Sequence, residues 1–282
     1  FHMSLFGFIG ISYLTFRVVQ MIIEIYDGVI KEVSALEITA FLAFFPSFSS
    51  GPIDRSRRFL ADWNRVLKRE EYMELCGTGI WKLLLGAVYK MVIAAGAYKV
   101  MGYFDTGTAW YHWVGYAYAY GIYLFFDFAG YSLMAVGSSY ILGIETPENF
   151  RQPFISRDIR EFWDRWHITL SHWFRDFIFT RFVMYSSKKK WFSTRLQRAC
   201  AGFFVDMGIM GLWHGITPSY ILYGLYHGLL LAATETYQKK SKFYKKHKNK
   251  TWYQVVSWAV TMQLVFFGFF LFSGKLMELV GF

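Results

Sequence analysis

A histidine lies inside a long apolar stretch near the end of the chain. The segment GLWHG, residues 211–215, places His214 within residues 207–233, which carry almost no charge. An unpaired polar group is unstable in an apolar environment, so this imidazole must find a partner, line a wet cavity or take part in a reaction. Glycines on both sides would let a substrate or a second backbone come close. His214 is therefore a candidate catalytic residue, with a core histidine bonded to a neighbouring helix as the alternative.

The reaction that suits such a residue is general base catalysis. Neutral imidazole is the usual base near neutral pH, and a positioned base typically accelerates a reaction about 10²- to 10⁴-fold. A hydroxyl group that attacks an activated acyl group needs a base of this kind, together with donors for the developing oxyanion. The pattern therefore predicts acyl transfer by a membrane enzyme, and it also fits a transporter with a protonatable histidine.

A second candidate, His167, lies in a polar stretch in the middle of the chain. His167 and His172 are five residues apart, so on a helix their side chains would point about 140° away from each other. A shared metal ion is therefore not expected, and the sequence has no HExxH pattern. His227 belongs to a segment, GLYHG, that echoes the first motif. It is interpreted as structural, because a hairpin turning near Pro218 would leave it about 7 Å along the axis from the level of His214.

The composition predicts a membrane protein. Of 282 residues, 55% are hydrophobic and only 18% are charged, whereas soluble domains carry about 25% charged residues. Phenylalanine and tyrosine are abundant, as in helices with aromatic ends at the two membrane interfaces. The net charge of +10 indicates cytoplasmic loops rather than nucleic-acid binding. The two cysteines form no spaced framework, which argues against a disulfide scaffold and a zinc site.

Several apolar segments are predicted to cross or enter the membrane. They are residues 3–26, 77–101, 110–144, 252–272 and a hairpin of 199–216 and 220–236. The run 110–144 is too long for one ordinary span, and its glycines predict a bent or paired set of helices with close contacts. Within these segments Lys90 should face protein or water, and Asp127 is interpreted as a structural ion-pair or helix-cap partner.

Two regions of the sequence are irregular. Residues 35–49 are short for a span and end in a stretch broken by Pro46, which predicts either a re-entrant segment or an interfacial turn. Residues 145–198 mix aromatic and charged side chains, which predicts a helix that lies in the interface or is threaded through the protein interior. By the positive-inside rule, three basic segments are cytoplasmic: residues 53–75, 151–165 and 239–250.

Three motifs in this order give the chain a resemblance to a known family. FFDFAGYS at residues 125–132, FWDRWHITLS at 162–171 and GLWHG at 211–215 are together similar to the membrane-bound O-acyltransferases. PSFSSGPIDR at residues 46–55 and NFRQPF at 149–154 point to the branch that takes part in the D-alanylation of teichoic acids. The resemblance covers most of residues 1–282. The family's first helices are missing, and we interpret the chain as a single domain from a longer protein.

The resemblance implies an all-α, polytopic protein of the cell membrane of Gram-positive bacteria, with a ring-like helical fold and re-entrant and interfacial helices. It implies that His214 is the principal histidine and His167 the second one. The donor would be D-alanine held as a thioester on the phosphopantetheine of a small, acidic, cytosolic carrier protein. The acceptor would be a hydroxyl of lipoteichoic acid, reached with other proteins of the system, including an extracellular partner with a single span. No metal and no bound cofactor would be needed, because the thioester is already activated.

An apolar helix end beside a basic cluster becomes a docking surface for the acidic carrier in this interpretation. We call it the docking patch, and it consists of Phe182, Val183, Met184, Lys188 and Arg195. From the residues alone, contact with anionic lipid explains the same cluster. Two other functions stay open at this stage: O-acetylation of a polysaccharide such as alginate by a member of the same family, and a non-catalytic conduit for D-alanine or a lipid intermediate.

Overall fold

The computed structural model describes residues 11–48, 51–107 and 109–281. Every regular element in these ranges is helical, which confirms the predicted all-α class. The α-helices are α1 (Ile11–Tyr26), α2 (Ala35–Leu42), α3 (Ser56–Trp63), α4 (Arg69–Val88), α5 (Ala95–Asp105), α6 (Trp110–Ile141), α7 (Ile159–Trp163), α8 (Ile168–Phe174), α9 (Thr180–Lys188), α10 (Arg195–His214), α11 (Pro218–Lys240), α12 (Lys242–His247), α13 (Thr251–Phe272) and α14 (Lys275–Leu279). Of the first predicted apolar segment, residues 3–10 lie outside the described residues.

Within the described residues, three helical stretches are long and apolar enough to cross a membrane: Arg69–Asp105, Trp110–Ile141 and Thr251–Phe272. The first joins α4 to α5 through a π-helical segment, Tyr89–Ala94. The predicted spans 77–101 and 252–272 are thereby confirmed as candidate spans. Of the bent or paired helices predicted over 110–144, the paired arrangement is wrong, because Trp110–Ile141 forms the single 32-residue helix α6.

The chain forms two compact units. In the first unit, the glycines of α6 allow this helix to pack closely against α4. This unit comprises Phe1–Gly96 and Leu124–Asn149. A Cβ on Gly137 would lie 2.5 Å from the backbone oxygen of Gly79, and one on Gly130 would lie 2.8 Å from that of Gly86. The glycines therefore bring α4 and α6 into backbone contact, which confirms the predicted close approach but not the predicted break.

Two polar side chains within the helices of this unit, Lys90 and Arg17, have partners. Lys90 Nζ lies 2.5 Å from a carboxylate oxygen of Asp127, which confirms that Lys90 faces protein and that Asp127 has a structural partner. Arg17, with 2% of its surface exposed, donates hydrogen bonds to the backbone oxygens of Phe41 and Ser47 at 3.0 and 3.1 Å. The irregular backbone around Pro46 is therefore satisfied by a buried guanidinium.

The second unit comprises Ala97–Tyr123 and Phe150–Phe282, and its central feature is the predicted hairpin. α10 ends at His214 and α11 begins at Pro218. The two helices touch through their backbones, because a Cβ on Gly224 would lie 2.4 Å from the oxygen of Met207. This contact fixes the position of the turn between the helices and the position of His214 at the end of α10.

The aromatic and charged segment 150–188 forms short helices in the same unit. Phe162 of α7 is fully buried, and so is Leu170 of α8. The ring of Trp166 lies 5.5 Å from that of Phe162 and 4.9 Å from that of Phe269 in α13. Of the two predicted arrangements, the structure therefore agrees with helices threaded through the protein interior.

Candidate functional site

His214 is the last residue of α10, so the residues that begin and end this helix determine its position. The helix starts at a reciprocal cap in which Thr194 and Gln197 satisfy each other's backbone N–H groups. It stops at Gly215, whose φ is 157°. A Cβ on Gly215 would lie 2.8 Å from a ring carbon of Tyr220, so only glycine leaves room for that ring.

An aromatic wall surrounds the half-buried imidazole of His214. The ring centroid of Phe272 lies 4.9 Å away, edge to face, and those of Tyr220 and Tyr223 lie 5.9 and 6.4 Å away. Aromatic walls exclude water and fix the orientation of the ring. The site therefore holds an imidazole with limited freedom at the end of a helix, as a positioned base requires.

His167 lies outside the three candidate spans and precedes α8 with a left-handed backbone, at φ 44° and ψ 52°. Only a few per cent of non-glycine residues adopt this conformation, and at functional sites the surrounding structure holds them in it. The side chain is 4% exposed. Burial lowers the pKa of His167 to about 3, and the charge of His214 lowers it as well. The imidazole of His167 is thus neutral near neutral pH.

His227 occupies a different environment and has the structural role that the sequence indicates. It is 1% exposed, and its Nδ1 accepts a hydrogen bond of 3.3 Å from the indole N–H of Trp163. A Cβ on Gly268 would lie 2.6 Å from its Nε2, so α13 approaches the ring closely. His227 is therefore a satisfied core histidine that ties α7, α11 and α13 together.

A cavity of about 430 Å³ opens between α7, α8, α9, α10 and α11. Part of its lining is charged: Arg160, Asp164, Arg175, Asp206 and Glu235. Arg160 and Glu235 pair with each other, and Glu235 is also 2.6 Å from Lys239 Nζ. Arg175 belongs to a π-helical segment, Arg175–Phe179, and such segments are frequent at functional sites. His172 also lines this cavity.

The face of α10 that lines the cavity leads to His214. Ala199, Phe203 and Met207 line the cavity at intervals of four residues. His214 follows Met207 by seven residues, which is about two turns, or about 10 Å, along the same face. The distance along α10 from Ala199 to His214 is about 22 Å at 1.5 Å per residue.

The residues of the docking patch lie on two consecutive helices, and one of them, Val183, lines this cavity. Phe182, Val183 and Met184 lie on α9, Lys188 ends that helix and Arg195 begins α10. Met184 is 67% exposed, and both basic side chains are exposed. Val183 is half-buried, lines the cavity and lies against Gly202 of α10. The docking patch is thus apolar and basic, and its residue Val183 also lines the cavity.

Sequence reasoning missed Asp206 and the aromatic residues around His214. Asp206 is the only Asp, Glu, Lys or Arg within 199–216, so a charge inside an apolar helix was the signal that could have found it. The contact of Phe272 with His214 joins two residues 58 positions apart in the chain, and no local pattern predicts it.

Known proteins resemble this chain along almost its whole length. The model of the membrane-bound O-acyltransferase family matches residues 9–275. A teichoic acid D-alanyltransferase of Bacillus subtilis is 46% identical over 279 residues, which cover 96% of this chain and 70% of that protein. One from Streptococcus thermophilus is 41% identical over 297 residues, covering 98% of this chain and 70% of that protein. A probable alginate O-acetylase of Pseudomonas syringae is 32% identical over 280 residues, which cover 97% of this chain and 50% of that protein.

Proposed function

Since the chain belongs to the membrane-bound O-acyltransferase family and is thus a membrane acyltransferase, we propose that it transfers D-alanine towards a hydroxyl of teichoic acid. The donor is a D-alanyl thioester on the phosphopantetheine arm of an acidic cytosolic carrier protein. The greater identity to the teichoic acid D-alanyltransferases than to the alginate O-acetylase, 46% and 41% against 32%, supports D-alanine over acetate as the acyl group.

The observation that supports the chemistry is the position of His214 at the end of α10, the helix that also lines the cavity at Met207. A thioester that reaches the end of this helix arrives beside an imidazole held by Phe272 and Tyr220. His214 accepts the proton of the acceptor hydroxyl as its oxygen attacks the thioester carbonyl carbon. The oxygen–carbon bond forms, the carbon–sulfur bond breaks, and the proton passes from His214 to the thiolate sulfur, so that the arm leaves as a thiol.

His167 has a positioning role in this proposal. Its imidazole is neutral, because burial lowers its pKa to about 3, and a neutral imidazole can donate one hydrogen bond without carrying charge. Such a donor orients the substrate or stabilises the negative charge that develops on the carbonyl oxygen. The left-handed backbone at φ 44° fixes the direction from which this side chain enters the site.

The docking patch supports the choice of partner. A surface that combines exposed Met184 with Lys188 and Arg195 suits a small acidic protein, since apolar contact supplies affinity and basic residues supply steering. The patch borders the cavity at Val183, so a carrier bound there has the entrance for its arm beside it. The acceptor is lipoteichoic acid on the outer side, reached with other proteins of the D-alanylation system.

Reconstitution of the purified protein with D-alanyl-loaded carrier and lipoteichoic acid tests this proposal. We expect His214→Ala to lower transfer at least about 100-fold, because the base is lost, while carrier binding is unchanged. We expect His167→Ala to lower transfer less strongly. His247→Ala is the matched control, since this half-buried histidine forms a hydrogen bond only with a backbone oxygen of its own helix among the described residues.

Two outcomes would point to the other functions. Full transfer by the His214→Ala protein would indicate a conduit without acyl chemistry. Transfer of acetyl groups but not of D-alanyl groups from a loaded donor would indicate a polysaccharide O-acetyltransferase, as the likeness to the alginate O-acetylase would then suggest.

A further inference from the structure

Asp206 lies in the wall of the cavity, and one oxygen of its carboxylate has no hydrogen-bond partner among the described residues. The residue is 5% exposed and lines the cavity. Burial raises the pKa of this carboxyl group, whereas the backbone N–H of Phe179 favours the charged form of the group and so lowers its pKa. Its Oδ1 is buried and has no hydrogen-bond partner among the residues that the structure describes.

This arrangement does not stabilise the fold. A buried carboxylate oxygen without a donor destabilises a protein by about 1–3 kcal/mol or more, and an apolar side chain of similar size would avoid that penalty. The other acidic groups of the cavity differ from Asp206. Glu235 pairs with Arg160 and Lys239, and Asp164 is exposed to solvent.

We propose that Asp206 recognises the α-ammonium group of the aminoacyl thioester as the carrier's arm passes through the cavity. This inference rests on the proposed function. A carboxylate with a free oxygen in an apolar wall binds a cation by a charge-assisted hydrogen bond, which is about twice as strong as a neutral one. An acetyl or propionyl group has no ammonium and leaves the oxygen unpartnered, so Asp206 selects aminoacyl groups over simple acyl groups.

Because of its position on α10, Asp206 binds the substrate before the substrate reaches the reaction site. It precedes His214 by eight residues, which is about 12 Å along the helix. An ammonium held by Asp206 therefore lies too far back for its carbonyl to reach the imidazole. The ammonium is bound first, and the arm then advances by about 12 Å to His214.

The test compares two loaded carriers that differ only in the amino group. One carries D-alanine and the other propionate, both joined to the arm through an amide so that no transfer occurs. Binding to the purified protein is measured by titration calorimetry. We expect the D-alanyl form to bind roughly 10- to 100-fold more tightly, as one hydrogen bond to a charged group allows. We expect Asp206→Asn to abolish this preference and Asp164→Asn to retain it.

The outcomes separate this inference from the proposed function. Equal binding of the two carriers by the unaltered protein, or a preference that survives in Asp206→Asn, would overturn the role of Asp206 and leave the transferase proposal standing. Failure of both carriers to bind would overturn the proposed donor and the inference together. Thermal unfolding distinguishes recognition from structure: Asp206→Asn should unfold at a temperature no lower than the unaltered protein, because the substitution removes a buried charge.

Discussion

The backbone oxygen of Tyr220 lies so close to Gly211 that a Cβ on that glycine would be 2.4 Å from it. Gly211 is one turn before His214 on α10, and Tyr220 is on the first turn of α11. The distance between the two helices is therefore set at the level of the candidate base. Since Tyr220 also contributes a ring to the wall around His214, the same contact positions the histidine and part of its surroundings.

Gly211→Ala should therefore destabilise the protein, whereas Gly208→Ala should not. The added methyl at position 211 meets backbone rather than a movable side chain, and overpacking of this kind costs about 1–3 kcal/mol or more. At position 208 no described atom beyond the helix's own backbone lies within 4 Å of an added Cβ, so alanine should stabilise α10 by up to about 1 kcal/mol. Thermal unfolding in detergent measures both. Equal unfolding temperatures for the two variants would contradict the close contact.

Much of this hairpin could be predicted from the sequence, because the signals are local. Two segments with glycine on either side of a histidine flank Pro218, and glycine and proline mark helix ends and close backbone contacts. The pairing of Lys90 with Asp127 was foreseeable in part for a similar reason, since isolated charges in apolar segments require partners. The unbroken course of α6 was not foreseeable, because a glycine that breaks a helix and one that permits helix contact look the same in a sequence.

His227→Ala should lower stability more than His214→Ala does. His227 is fully buried, and its loss leaves a cavity and removes the acceptor of the indole N–H of Trp163. Replacing a buried ring with alanine typically costs about 3–5 kcal/mol, and an unpaired N–H adds to this. His214 is only half-buried, so its loss should cost less.

Unfolding temperatures, compared with transfer rates for the same two proteins, check this assignment. His227→Ala should be unstable and His214→Ala should be stable but inactive. The reverse pattern would show that the two imidazoles had been assigned to the wrong roles.

Carrier binding should depend on the exposed apolar part of the docking patch. Met184→Asp places a negative charge at its centre, where it repels an acidic partner and removes apolar contact. Because Met184 is 67% exposed, the protein should fold normally. Val66→Asp is the matched control, since Val66 is 93% exposed and lies in a segment that is also predicted to be cytoplasmic.

Surface plasmon resonance with the carrier measures this effect. Met184→Asp should weaken binding at least about 10-fold, and Val66→Asp should leave it unchanged. The association rate of the unaltered protein should fall as salt concentration rises, because Lys188 and Arg195 steer the encounter. Equal losses for both aspartate variants would remove the patch from the proposed interface.

The parts of the site that could not be predicted are those that only tertiary packing brings together. His167 and His214 are 47 residues apart, and no periodicity indicates that they interact. The left-handed conformation of His167 is imposed by its surroundings, since the intrinsic preference of the residue is against it. The cavity combines residues from five helices, so its existence depends on the packing of α7 to α11.

The last prediction concerns Lys90 and Asp127, which are each about one-third exposed and 2.5 Å apart. Lys90→Met leaves a carboxylate without its cation inside a candidate span, and Asp127→Leu leaves an ammonium there. Because the pair is partly solvated, each single change should destabilise the protein by about 1–3 kcal/mol. This is less than the loss of one partner costs in a fully buried ion pair. The double variant should be more stable than either single one, since it leaves no unpaired charge. A double-mutant cycle measured by thermal unfolding gives the coupling free energy, and strictly additive effects would show that the two charges do not stabilise each other.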